Sequence, residues 1–240
     1  MEKKKVAIIG FAPSWREAPW GSDEYEFWCL NEFYKLIPEI KEFRADRWFE
    51  IHNRDSVSKA TEEHQKWLKE CPVPLYMWQK YNDLPNSVKF PRDEIIEWLK
   101  NKGCSGAGYF TNSISWMLAF GMYEGFDEIS VFGVDMANDS EYQGQRPSCE
   151  YFIGLAEGMG IKVYIPQASD LLKCTQLYGF ESDNKNRVWM KAQAKEMGKR
   201  IQQFAQQERQ AHDALIQAQI AQAELRGAKS AYQEILKRTQ

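Results

Sequence analysis

The chain has 240 residues, 31 Lys and Arg against 34 Asp and Glu for a net charge of −3, and 43% hydrophobic residues including nine tryptophans. That length holds one sizeable domain plus an appendage, and the balance of charge supplies no global basic field for nucleic acid or an anionic membrane. Five widely spaced cysteines without paired metal-ligand spacing read as reduced thiols, and no apolar run is long enough for a signal peptide or membrane span, so a cytoplasmic protein is expected.

Behind lysines 3 to 5, Val6-Ala7-Ile8-Ile9 predicts a strand buried on both faces, as in a parallel sheet. It stops at Gly10, and Pro13-Ser14 follows. The turn lacks the three spaced glycines of a dinucleotide fingerprint and the Gly-Lys-Ser/Thr of a P-loop. Glu26 to Asn31 predicts a second strand and Arg47 to His52 a third. A helix follows, with Ser56 and Ser58 as candidate caps. Val73 to Met77 reads as a short strand, and Pro91 to Lys100 as a helix opened by its proline. Ile114 to Glu124 has apolar residues at helical spacing, Ile129 to Asp135 is another buried strand, Glu150 to Met159 a helix, and Ile161 to Pro166 a last strand. Helices between strands imply parallel pairing, hence an α/β, Rossmann-like, open and mainly parallel sheet with helices on both faces.

From about Asn184 proline disappears and Ala, Gln, Lys, Arg and Glu dominate. The expected division is therefore 1–180 for the Rossmann-like domain and 184–240 for a coiled-coil-like helical tail. In the tail Ile201, Phe204, Ala211, Leu215, Ala218, Leu225, Tyr232 and Leu236 roughly follow a heptad, interrupted by Glu208, Gln222 and Lys229. Such a face packs either against a second copy, making the tail an oligomerisation element, or back on its own domain.

Polar residues fall at several predicted strand ends, where open α/β sheets bind ligands. Asn31 ends the second strand and His52-Asn53 the third; Gly133 and Asp135 close the strand after Ile129. Thr111-Asn112-Ser113 precedes a helix whose free N–H groups would favour an anion. Each also has a structural use, as a turn former or an N-cap. Asp135, Glu141 or His52 could act as a base, and Asp135 with Glu141 could hold a divalent cation such as Mg2+. The polar stretch Glu141 to Ser148 reads as a loop, either merely exposed or closing over substrate with Arg146 on a phosphate or carboxylate. Trp15, Trp20, Trp78 and Tyr81 could stack on bases, but the acidic balance argues against nucleic acid as a partner.

Taken in order, Gly10-x-x-Pro13-Ser14, Cys29-Leu30-Asn31-Glu32-Phe33-Tyr34, Thr111-Asn112-Ser113 and Phe126 to Asp135 resemble a known constellation. It is that of the bacterial sialyltransferases that add sialic acid to lipooligosaccharide. The chain is also similar to the related motility accessory factors and archaeal hydroxymethylpterin diphosphokinases, and to Rossmann-like proteins of tailed phages. The resemblance spans residues 5 to 175. It implies a cytidine nucleotide donor held by Gly10, Ala12, Ser14, Asn31, Asn53, Thr111, Asn112 and Ser113, with Tyr142 and Tyr151 as the tyrosines that help the phosphate leave. That family works without bound metal and uses a late histidine as base, whereas no histidine lies between His64 and His212 here. In the pterin branch an acid-bound magnesium assists, and Asp135 is the matching residue. The expected function is a nucleotide- or nucleotide-sugar-dependent transferase, with a non-enzymatic assembly protein as the alternative.

Overall fold

The structure of the protein, a computed structural model, describes residues 4–136, 144–174, 178–179 and 185–238, except the side chains at 56, 58, 185–188, 232 and 234–238. It forms two compact units, Met1–Lys173 and Cys174–Gln240. The first carries strands β1 (Lys5–Ile9), β2 (Tyr25–Leu30), β3 (Arg47–Phe49), β4 (Leu75–Met77), β5 (Ser87–Lys89), β6 (Glu128–Phe132) and β7 (Lys162–Tyr164). They make one seven-stranded sheet in the order β5-β4-β3-β2-β1-β6-β7, and every pairing is parallel.

Strand alternation builds two cores from one sheet. Val6 and Ile8 of β1 point to the face covered by α3 (Arg92–Asn101), α4 (Ser113–Tyr123) and α5 (Arg146–Gly158). Ala7 and Ile9 point to the opposite face, under α1 (Arg54–Ser58), α2 (Glu62–Glu70) and two 3-10 helices, Pro13–Glu17 and Asn31–Glu39. A central parallel strand covered on both sides must be apolar throughout, which is why Val6 to Ile9 is an unbroken apolar run.

The expected α/β architecture is present, with local differences. The short strand β5 goes unread in the sequence because only Ser87 of its three residues is buried. Thr61 caps α2, its hydroxyl accepting from the His64 N–H, while Ser56 and Ser58 lie inside α1. The residues Arg146 to Ser148 form the first turn of α5 rather than a loop, and Arg146 and Ser148 are buried there. Trp15 is core, and Trp20, Trp78 and Tyr81 pack half-buried against the two clusters, so they form no exposed stacking surface.

The second unit is dominated by α6 (Lys185–Arg238), a single helix of 54 residues. Ile201, Phe204, Leu215 and Leu225 are all more than half exposed along it. Among the described residues, no helix is long and apolar enough to cross a membrane.

The ends of β1 and β6 meet through glycine. The Gly10 N–H donates to the Phe132 carbonyl and the Ala12 N–H to the Gly133 carbonyl, both at 2.8 Å. The Gly133 N–H in turn donates to buried Ser14 Oγ at 2.9 Å. A Cβ on Gly133 would lie 2.2 Å from the Gly10 carbonyl oxygen, and Gly133 adopts φ +67°. We predict that Gly133→Ala lowers unfolding free energy by about 3 kcal/mol or more, through strain plus a backbone clash. Ser14→Ala should cost about 1–2 kcal/mol, the loss of one buried hydrogen bond. Urea denaturation checks both, and an unchanged midpoint for Gly133→Ala would refute the contact.

Candidate functional site

The sheet order reverses at β1, whose neighbours β2 and β6 lead the chain to opposite edges. The carboxyl ends flanking such a reversal are where this architecture offers a ligand crevice. Gly10, Asn31 and the Glu50 to Asn53 segment follow β1, β2 and β3, which are adjacent in the sheet, and Gly133 to Asp135 follow β6.

Not all of these residues are available to a ligand. The N–H groups of Gly10, Ala12 and Gly133 are engaged in the β1–β6 contact, where Ser14 Oγ accepts from Gly133. Their role in the structure is to bring two loops together. Asn112 is the N-cap of α4, its Oδ1 accepting from the Ser115 N–H at 2.8 Å. Asn112 Nδ2 and Thr111 Oγ1 both donate to the Gln145 carbonyl, tying the start of α4 to the start of α5. Ser113 opens α4 beside them. Asn53 is exposed, and its carbonyl receives the Val57 N–H as α1 begins. Tyr151 accepts the Gly106 N–H at 3.2 Å, and a Cβ on Gly106 would collide with its ring.

Arg146 is similarly engaged: its Nε donates to Glu150 at 2.8 Å and its guanidinium to the Lys173 carbonyl at 2.7 Å. Asp135 is half-buried, close enough to Lys173 to favour that ammonium, although burial holds the Lys173 pKa below its usual value. Glu141 and Tyr142 lie outside the described residues. Among the described residues no group of three or more His, Cys, Asp or Glu could hold a metal ion, so Asp135 is not joined there by the ligand set a Mg2+ site needs.

Two features stand out chemically. Asn31 adopts φ +48°, a left-handed conformation for a residue with a side chain. Its carbonyl accepts from Trp48 Nε1 at 3.0 Å, while its buried Oδ1 has no hydrogen-bond partner among the described residues. A buried acceptor left unsatisfied costs about 1–3 kcal/mol, so it demands a reason.

The second feature is a carboxylate held between two histidines. Glu50, 2% exposed, accepts from His52 Nδ1 at 2.5 Å through Oε1 and from His64 Nε2 at 3.0 Å through Oε2. His64 is buried and stacks on Tyr34, which stacks on Trp67. His52 is the exposed member, its side chain about half accessible. With Nδ1–H committed to Glu50, its Nε2 is left to take a proton. Burial pushes the Glu50 carboxyl up, but hydrogen bonds from His52 and His64 outweigh it and hold the group below the ordinary value. The hydrogen bond to Glu50 raises the His52 pKa against the opposing effect of burial.

The sequence singles out His52 and Asn31 as candidates and passes over Glu50 and His64, which the fold sets beside His52. The available signal was Glu50-x-His52, since residues two apart in extended chain share a side. His64 comes from α2 and is brought in only by the fold.

A separate cavity of about 830 Å³ opens at the amino ends of β1 and β2, lined by Lys4, Lys5, Asp23, Glu24, Arg44 and Asp46 among others. Its charges are paired, Lys5 with Glu24, Arg44 with Asp23 and Asp46, and Lys4 with Glu124 beyond the lining. Asp46 also accepts the Phe27 N–H at 2.8 Å, closing the start of β2.

No family model matches the chain, and no curated protein does. Among solved structures, the chain is similar to the sialyltransferase CstII from Campylobacter jejuni in complex with the substrate analogue CMP-3FNeuAc. There the identity is 17%, the TM-score 0.47, and the match covers 68% of this chain and 79% of that one. The same enzyme with cytidine-5′-monophosphate gives 16% identity and a TM-score of 0.48 over 69% and 80% of the two chains. An apo alpha-2,3-sialyltransferase from the same organism gives 15% and 0.45 over 68% and 75%. These are likenesses of chain path alone.

The Glu50–His52 pair predicts a definite pH response. Its stabilisation by the lowered Glu50 is present above the ordinary carboxylate value of 4.5 and is lost as pH falls through the lowered one. Its stabilisation by the raised His52 is present below the ordinary imidazole value of 6.5 and is lost as pH rises through the raised one. Titration of His52 by NMR should therefore give a midpoint above 6.5 that falls in Glu50→Gln. A midpoint that ignores this substitution would contradict the pairing.

Proposed function

We propose that the chain is a transferase that uses a nucleotide-linked sugar, with the donor lying over the carboxyl ends of β1, β2 and β3 and His52 as general base. The single observation that carries this reading is the buried Glu50 carboxylate fixing an exposed imidazole at a strand end. Buried carboxylates are costly unless paired, and this one is spent on orienting a base.

In the proposed reaction an acceptor hydroxyl gives its proton to His52 Nε2 as its oxygen bonds to the donor sugar carbon. The bond from that carbon to the phosphate oxygen breaks, and the nucleotide leaves with the electron pair. Asn31 is assigned to supply the acceptor for an N–H or O–H of the nucleotide by a turn of its side chain, whose Oδ1 is buried and without a partner among the described residues in the left-handed position it holds. His64 positions Glu50 and need not touch substrate. Asp135, Thr111 and Ser113 border the same ends of the sheet and are proposed as further donor contacts.

A second reading has its own observation. A 54-residue helix with large apolar side chains more than half exposed is suited to assembly. We take α6 as a self-association element, compatible with either an active or an inactive first unit.

Thermal shift against CMP, CDP, UDP, GDP and ATP, with and without magnesium, tests the donor site. One nucleotide should raise the melting temperature by a few degrees, about 1–2 kcal/mol of linkage, and Asn31→Ala should abolish the shift. No shift at millimolar nucleotide would reject the transferase reading. With the matching donor sugar, His52→Ala should retain nucleotide binding while turnover falls about 10²- to 10⁴-fold.

A further inference from the structure

The register of polar residues along α6 goes beyond self-association and specifies its polarity. Stepping alternately four and three residues from Met197 gives Ile201, Phe204, Glu208, Ala211, Leu215, Ala218, Gln222, Leu225 and Lys229. These lie within one continuous helix, and Ile201, Phe204, Leu215 and Leu225 are 56–72% exposed on it. A repeat of 3.5 residues drifts around a straight helix and is kept in contact only by a supercoiled partner.

Two charges of opposite sign interrupt that line, Glu208 towards one end and Lys229 towards the other. In a parallel, in-register pair each charge would face its own copy, Glu208 on Glu208 and Lys229 on Lys229, inside the seam. An antiparallel pair centred between Ala218 and Ile220 does the reverse. It brings Glu208 of each helix to within about one turn of Lys229 on the other, roughly 5 Å along the axis. The same arrangement sets small Ala211 and Ala218 near Leu225 and Gln222, and Leu215 near Leu225. Opposite charges at a helix seam select partner orientation, because the competing alignment desolvates like charges together.

We infer that α6 pairs antiparallel with a second copy of this chain, centred near Ala218, with Glu208 and Lys229 as reciprocal ion pairs that set the orientation. This rests on the self-association reading, and the experiment separates the two. In the full chain carrying Cys174→Ser, which removes an exposed thiol of the same unit, a short bismaleimide should crosslink Ala218→Cys into a dimer. It should leave Phe204→Cys uncrosslinked, since antiparallel pairing holds the two positions 204 about 45 Å apart. By light scattering, Glu208→Lys and Lys229→Glu should each weaken the dimer about ten-fold or more, and the double reversal should restore it. A monomeric wild-type chain would overturn both readings. Crosslinking at 204 as strong as at 218, or no rescue by the double reversal, would overturn the polarity and leave self-association standing.

Discussion

The contact between Gly10 and Gly133 is the constraint on which the upper edge of the sheet depends. β1 and β6 are hydrogen-bonded neighbours, and the loops that leave them would normally diverge. Here each strand exit lies against the other's backbone at a distance no Cβ would permit, and buried Ser14 closes the gap by accepting the Gly133 N–H. Both glycines are needed, one for lack of a side chain and one also for its positive φ. The result is a rigid corner beside the end of β2, where Asn31 is held in the left-handed region.

From that corner the polar chemistry runs along the sheet towards β3. Asn31 receives the Trp48 indole through its carbonyl, and Trp48 packs on Trp67. Tyr34, in the 3-10 helix that Asn31 begins, stacks between Trp67 and His64. His64 grips one oxygen of Glu50, and Glu50 holds His52 with the other. Aromatic packing thus connects a strained asparagine to an oriented histidine across two strand ends. Such rigidity is what positioning of a reacting group requires. At the opposite end of the strands, Arg47 is paired with Glu26 and Glu124 and lies over the rings of Trp28, Tyr76 and Phe120. That end spends its charges on the fold.

What the sequence made legible follows from which forces are local. β1 and β6 are central strands, and burial on both faces writes itself as Val6 to Ile9 and Ile129 to Phe132. The edge strand β5 buries little and left no such mark. Among candidate residues, Asn31 and His52 stand out from their place after apolar runs. Glu50 was hidden because an acid at a strand end ordinarily reads as solvent-exposed, and His64 because its partner is 14 positions away. Ser14 and Gly133 read as ligand contacts, since glycine turns serve both purposes; the tertiary structure adds that the Gly133 N–H is donated to Ser14 Oγ. Arg146 was misread as a loop residue because Gly144 and Pro147 look like breakers, whereas a proline near the start of a helix loses no hydrogen bond.

In the proposed transferase the carboxyl ends of β1 to β3 hold the nucleotide and the charged cavity at the amino ends does not. A crystal structure of the full chain soaked with CMP measures this directly. Electron density for the nucleotide is expected against Asn31, with an N–H or O–H on its Oδ1 and His52 Nε2 facing the phosphate-bearing end. Density seated instead among Lys4, Lys5 and Arg44, with the Asn31 side chain unchanged, would contradict it.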